Sequence, residues 1–325
     1  MTADELHALA ARLAGEAVSA PETVRGGGNN RLYRVEGAGG AFALKHYPAD
    51  PADARARYER EFGGLRFLWE QGVRCVPQPL GLEAGSGVAL YAWIDGRPVG
   101  AASAADIEAL ADFARRLHAL REAPGAETLP DAREAVGSRA ELHAQLAARL
   151  TRLAGPAAGH PALAALLRDI SAEAGMRRNG TPEASLPRAR QTLSPSDFGF
   201  HNAIRTPGGL AFVDFEYFGW DDPVKLVADV LWHPGMALDE GQRQKFYEGV
   251  AEVYGVDADF KGRFERDAPL YGLRWALIVL NEFLPGIWER RVAAGQPDDR
   301  QAALERQLAK AAGLLDRVRR NAVLA

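Results

Sequence analysis

The hydrophobic pattern of the chain changes character once, near residues 95–101, and that change limits the folds open to it. Upstream, short apolar runs of strand length alternate with glycine-rich turns; downstream, the runs lengthen into Ala- and Leu-rich stretches of helical period. At 325 residues the chain exceeds the size at which one core keeps growing, and its 47% hydrophobic content is ample for two. The expectation is an α+β, bilobal protein: residues 1–96 as a small antiparallel sheet with one main helix, and 97–325 as a larger, mostly helical lobe.

Thr2 and Glu5 read as a capping box opening the first helix. Residues 22–47 read as two or three strands. Between Val24 and Val35 the pattern is strand, flexible tip, strand, with Gly26, Gly27, Gly28, Asn29 and Asn30 at the tip. Glycines there let backbone N–H groups approach phosphates, and Asn tolerates left-handed conformations. After a turn at Gly37–Gly40, the strand Ala41–Lys45 puts Phe42 and Leu44 on one face and Lys45 beside small Ala43 on the other. The chain has five lysines against 34 arginines, and Lys45 is the only lysine among the first 224 residues. A compact ammonium suits a phosphate where a guanidinium fork would not fit. Residues 52–71 read as a helix burying Phe62, Leu65 and Leu68 or Trp69, with Glu59 or Glu61 able to face Lys45. Glu61, at the edge of the apolar stripe, is the preferred partner; the alternative is that Arg57, Glu59, Arg60 and Glu61 form a solvated charged face. Val76–Leu82 and Val88–Ile94 complete the strands, ending at Asp95-Gly96-Arg97-Pro98.

Beyond the boundary, Ser103 and Asp106 cap a helix carrying Ile107, Leu110, Phe113, Leu117 and Leu120, and further helices are expected at 138–154, 160–175, 241–254, 259–283 and 298–321. One short hairpin interrupts this series, Asn202 to Asp214 about the turn Thr206-Pro207-Gly208-Gly209. Symmetric pairing brings Asn202 roughly opposite Asp214, where directly paired residues have Cβ atoms about 5 Å apart. Two oxygen ligands could then share a hard cation, and Mg²⁺ takes one or two protein oxygens while filling its other positions with water and phosphate. Asp197 lies five residues before Asn202. Asp-x-x-x-x-Asn with a second Asp after the next strand is the layout of kinase-type phosphoryl transfer: Asp197 as catalytic base, Asn202 and Asp214 as metal ligands. The literal Asp197-Phe198-Gly199 could be read as a metal-binding triplet, but the stretch before it offers no catalytic-loop pattern.

A net charge of −4 makes nucleic acid and anionic membranes poor partners, and no apolar run reaches membrane-spanning length. The single cysteine, Cys75, permits no internal disulfide, so a reducing, cytoplasmic setting is expected. Leu304, Leu308, Ala311 and Leu315 of the last helix suit core packing or an oligomer surface, consistent with a monomer or a homodimer.

In order along the chain, the glycine tip, Lys45, Glu61, Tyr91–Gly96, Asp197…Asn202 and Val213-Asp214-Phe215-Glu216 resemble the aminoglycoside phosphotransferase and choline kinase branch of the protein-kinase-like fold. The resemblance implies a nucleotide site for ATP or GTP, with adenine beneath the linker and backbone hydrogen bonds near Ala92, Trp93 and Ile94. It also implies Mg²⁺ and a small-molecule hydroxyl acceptor bound by the helical lobe. Three departures mark this sequence. Pro195-Ser196 replace the family's usual His-Gly before Asp197; Gly199 stands where His is common, with His201 placed just before Asn202; and Leu226 stands where an Asp usually follows Asp-Pro, with Asp229 later. Asp221, Asp222, Glu282 and Glu289 with Trp220, Trp232, Tyr271, Trp275 and Trp288 could line an acceptor cleft or pack as core, and Arg274 and Asn281 could serve either role. A nucleotide-binding pseudokinase or regulatory module is the alternative function, and a protein kinase, lacking a clear activation segment here, a more distant one.

Overall fold

The structure, a computed structural model, describes residues 1–24, 30–47, 51–178, 184–289 and 299–325, with the backbone alone for 51–54. The tip residues Gly26, Gly27, Gly28 and Asn29 lie outside the described residues. The chain forms two compact units: Met1–Gly100 with Ala119–Arg133 and Pro195–Gly219, and Ala101–His118 with Glu134–Ser194 and Trp220–Ala325. This grouping differs from a division by composition, because the hairpin segment Pro195–Gly219 packs with the amino-terminal sheet although it follows the first long helices in sequence.

In the first unit, strands β1 (Glu22–Val24), β2 (Arg31–Gly37), β3 (Gly40–His46), β4 (Pro79–Glu83) and β5 (Val88–Ala92) form an antiparallel sheet of order β1-β2-β3-β5-β4. Helix α1 (Ala3–Ala14) starts with the expected capping box, Thr2 Oγ1 accepting from Glu5 N at 3.2 Å and Glu5 Oε2 from Thr2 N at 2.7 Å. It lays Leu6, Leu9 and Ala10 on Val35, Leu44, Val88 and Leu90. Because strand side chains alternate, Leu44 enters that core while Lys45 turns to the opposite face. There helix α2 (Pro51–Glu70) buries Leu65, Phe67 and Leu68. Gly64 of α2 sits where an added Cβ would be 2.5 Å from the Phe218 ring.

After β5 the chain forms β6 (Arg97–Pro98), which pairs with β8 (Ala203–Thr206) of the hairpin β8–β9 (Gly209–Phe212). A Cβ at Gly96 would lie 2.6 Å from the carbonyl oxygen of Arg205, so only glycine lets the linker run this close to the hairpin. The hairpin register is Thr206↔Gly209 through Ala203↔Phe212. Pro207-Gly208 therefore makes a two-residue turn, and Val213 N donates to Asn202 O at 2.9 Å. Asn202 thus stands opposite Val213, and Asp214, expected roughly opposite it, comes one residue later because the turn is centred on Pro207-Gly208. Asp214 lies one position past that pair and adopts φ +66°, which redirects the chain at the end of the hairpin.

The second unit is helical: α3 (Ala104–Ala119), α4 (Arg139–Ala157), α5 (Pro161–Met176), α6 (Pro223–Trp232), α7 (Glu240–Tyr254), α8 (Phe260–Val279) and α9 (Arg300–Arg319). All ten residues of α6 are buried, and the helix packs on α8. No helix was expected over these residues, whose two charged side chains, Lys225 and Asp229, lie four apart on one face and pair inside the protein. The start of α6 was nonetheless written in Asp222-Pro223: Asp222 caps Val224 N at 2.8 Å, and Pro223 occupies the first helical turn.

Candidate active site

Every described residue of the expected phosphate and metal machinery belongs to the first unit. Lys45, 9% exposed on β3, donates to Glu61 Oε2 at 2.7 Å and Oε1 at 3.0 Å and to Asp214 Oδ1 at 2.8 Å. Burial alone would lower the lysine's pKa, but the carboxylates of Asp214, Glu61 and Glu216 outweigh it and raise the value, so Lys45 is a fixed cation at neutral pH. Glu61 is held in turn by Tyr47 Oη at 2.6 Å and by Phe215 N at 3.4 Å, and Tyr47 bonds Tyr91 Oη at 3.0 Å. Position 45 faces α2 together with 47 because both share strand parity, and Tyr91 of β5 comes alongside through the Ala43↔Tyr91 register.

Of the two candidate glutamates, Glu61 meets Lys45, whereas exposed Glu59 pairs with Arg55 at 2.7 Å. The reading of residues 57–61 as a wholly solvated face is corrected: Arg57 and Glu61 are 2% and 3% exposed. Four residues apart, they occupy one face of α2. Arg57 reaches Asn30 Oδ1 at 2.7 Å and Glu216 Oε2 at 3.4 Å, while Asn30 Nδ2 donates to the same Glu216 oxygen at 2.6 Å. Sequence reasoning missed Arg57, although its spacing from Glu61 was the available signal.

The loop before the hairpin is unusual backbone. Asp197 N donates to Pro195 O at 2.9 Å around Ser196, whose φ is +67°. This tight three-residue turn with a left-handed centre is a rare and strained form. A glycine would adopt it at no steric cost; here Ser196 anchors the turn through Oγ to Arg133 O at 3.0 Å. Both Asp197 oxygens are engaged: His201 Nε2 lies 3.0 Å from Oδ1, and Asn202 Nδ2 is 3.2 Å from Oδ2 as well as 2.9 Å from the Asp197 carbonyl. An amide that donates through nitrogen keeps its oxygen as the atom a cation would take. Asp214 has one oxygen on Lys45 and 38% side-chain exposure, so its carboxylate can be reached from solvent. These hard oxygen donors suit Mg²⁺.

At the linker, Ala92 N donates to Gln78 O at 2.9 Å and Trp93 N to Ala41 O at 3.1 Å. Those two donors are therefore committed to sheet neighbours, and Ile94 is the first linker residue beyond them. The Trp93 indole bonds Asp95 Oδ1 at 3.0 Å and lies under Arg34.

In the second unit the suggested acceptor carboxylates and aromatics pack as core. Trp220, Trp232, Tyr271, Trp275, Trp288, Asp221, Asp222 and Glu282 are all 9% exposed or less, whereas Glu289 is exposed. Lys225, fully buried on α6, bonds Asp221 at 2.7 Å and Asp229 at 3.1 Å. Asp229 also accepts Trp275 Nε1 at 2.8 Å and Arg274 Nη1 at 3.2 Å. The late Asp229 thus belongs to an internal ion network. Asp222, the α6 cap, takes Arg263 at 2.6 Å.

A model of the phosphotransferase enzyme family matches residues 20–263, well over half of the chain. The chain belongs to this family. The protein is accordingly a phosphotransferase of the kind that uses a hydroxyl acceptor. No curated protein sequence matches it. Among solved structures, choline kinase from Cryptosporidium parvum aligns with a TM-score of 0.63 at 10% identity over 94% of this chain and 91% of its own. Spectinomycin phosphotransferase, solved with ADP and spectinomycin, gives 0.62 at 12% identity over 99% of both chains. The macrolide 2'-phosphotransferase of Brachybacterium faecium gives 0.55 at 20% identity over 91% of this chain and 99% of its own. At these identities the likeness is one of fold, and the α+β, protein-kinase-like fold expected from the sequence is the fold of this phosphotransferase. Among its described residues, no helix is long and apolar enough to cross a membrane.

Proposed function

We propose that this phosphotransferase moves the γ-phosphoryl group of ATP or GTP to a hydroxyl of a small molecule in a Mg²⁺-dependent reaction. The observation that carries the reading is the buried Lys45–Glu61 pair joined through Lys45 to a solvent-accessible Asp214. Lys45 places a permanent positive charge at the phosphates, and Glu61, locked by Tyr47, fixes its direction. Asn202 and Asp214 would hold Mg²⁺, which supplies charge neutralisation on the nucleotide phosphates. Asp197, gripped by His201 and Asn202, is oriented to align the acceptor hydroxyl and accept its proton. The glycine tip, Gly26 to Gly28 with Asn29, would cover the phosphates. Adenine would meet the backbone at Ile94 and the carbonyls of Ala92 and Trp93. Transfer of this type demands positioning and electrostatics more than covalent help.

The test is nucleotide turnover with and without Mg²⁺ by the wild type and Asp197→Asn, across amino alcohols, aminoglycosides, macrolides, sugars and nucleosides. Acceptor-stimulated turnover that falls by about 10²–10⁴-fold in the variant, with nucleotide affinity kept, is the expected result. Nucleotide binding by both proteins with no turnover across the panel would favour the regulatory reading; no nucleotide binding at all would overturn the assignment of Lys45 and the hairpin.

A further inference from the structure

Helix α2 makes two buried ionic contacts one turn apart, and the phosphotransfer reading uses only the one at Glu61. The second, at Arg57, closes a triangle with Asn30 and Glu216. Both ends of the Asn30 amide are occupied, the oxygen by Arg57 and the nitrogen by Glu216. Glu216 is 4% exposed. An amide committed at both ends to buried charges is badly placed to serve as a direct phosphate ligand, although its sequence position at the glycine tip suggested that role.

The three corners come from separate stretches of the first unit: the residue that enters β2, the middle of α2, and the chain two residues beyond Asp214. Lys45, held by Glu61, already attaches the same segment at Asp214. With Phe215 N on Glu61 as well, the attachments at Asp214 and at Glu216 hold this segment on both sides of Phe215 and limit its rotation. We propose that Arg57, Asn30 and Glu216 form a positioning strut that couples nucleotide binding to metal binding, by holding the residue after the glycine tip and the metal-bearing segment in one register. The strut rests on the phosphotransfer reading above and assigns these side chains no contact with the reacting atoms. Burying the Glu216 carboxylate is costly unless it is paired and hydrogen-bonded, so the triangle persists only when all corners are present. Coupling of this kind is an energetic statement and is measured as one.

The experiment titrates a non-hydrolysable ATP analogue calorimetrically into wild type, Asn30→Ala, Glu216→Gln and the double variant, once with Mg²⁺ and once with EDTA, and records thermal unfolding for each. The strut predicts that the Mg²⁺-dependent gain in affinity shrinks at least fivefold in each single variant. It also predicts that affinity in EDTA changes less than twofold and that the double variant loses no more than the worse single one. An equal loss with and without Mg²⁺ overturns the proposal and makes Asn30 a direct ligand or a general structural residue; an unchanged Mg²⁺ gain also overturns it. If Glu216→Gln does not fold, Asn30→Ala, which keeps the Arg57–Glu216 pair, decides alone. Failure of the wild type to bind the analogue removes the phosphotransfer reading together with the strut, whereas the two overturning patterns in a binding-competent wild type remove the strut only.

Discussion

Two lysines of this phosphotransferase are buried against carboxylates, and their surroundings differ in one respect. Lys225 in the second unit is sealed: its side chain and that of Asp221 are 0% exposed, and that of Asp229 is 4%. Lys45 in the first unit is also buried, yet one of its partners, Asp214, has 38% side-chain exposure. For both lysines burial opposes the charge and nearby carboxylates outweigh it, so each is held more strongly protonated than in water. A shifted lysine therefore does not distinguish a functional cluster from a structural one. Access separates the two: the Lys45 cluster presents a charged oxygen to solvent, while the Lys225 cluster spends every charge internally.

The strongest way to break this contrast is to remove each lysine. Lys225→Ala strands buried Asp221 without its cation, leaves Asp229 with Arg274 alone, and is expected to lower the unfolding free energy by about 3–5 kcal/mol, measured by urea denaturation. A loss below about 1 kcal/mol would mean the sealed cluster is no structural keystone. Lys45→Met should act mainly on chemistry, reducing kcat/KM about 10²–10³-fold, with a smaller stability loss than Lys225→Ala. If Lys45→Met costs as much stability and spares kcat/KM, the two clusters are alike after all. A smaller effect probes the helix carrying Glu61. Gly64→Ala presses a methyl into Phe218 and should destabilise by about 1–3 kcal/mol. Gly63→Ala, where an added Cβ meets nothing within 4 Å, should stabilise by about 0.5–1 kcal/mol. Thermal unfolding of the two neighbours, opposite in sign, checks the set of α2.

The smallest effect concerns a rim pair of the second unit. Burial would raise the Asp257 carboxyl, but hydrogen bonds and the charge of Arg190, at 2.8 Å, hold it below its ordinary value. A depressed folded pKa contributes stability above the unfolded value of about 3.9 that is lost as pH falls through the folded value. Acid unfolding of Asp257→Asn should therefore be flatter below about pH 4, by less than about 1 kcal/mol because the pair is solvent-screened. A steeper acid limb in the variant would contradict the sign.

Much of the first unit was legible before the structure. Strand parity put Lys45 opposite the Leu44 core, the apolar stripe of α2 set Glu61 at its edge, and Thr2 with Glu5 announced the first helix. Legibility failed where an answer depended on two distant stretches meeting. The hairpin was legible only to within one residue, because turn length sets register. Arg57 looked like surface charge because its partners Asn30 and Glu216 lie 27 and 159 residues away in sequence. The tryptophans and acids of the second unit left cleft and core both open, because aromatic and charged residues have the same composition in a cage as in a core.

By itself, then, the sequence determined what local periodicity and short spacings encode: the α+β class, the helices with an apolar stripe, and the Asp197–Asn202–Asp214 order along the chain. Only the tertiary structure decided which charges are shared. It gave Glu61 rather than Glu59 to Lys45, engaged Asn30 with Glu216 and Arg57, closed Asp229 into the Lys225 network, and placed Ser196 at a φ of +67°. The physical reason is that a charge is buried only when it is paired, and for Lys45, Arg57 and Arg274 the partners arrive from elsewhere in the chain.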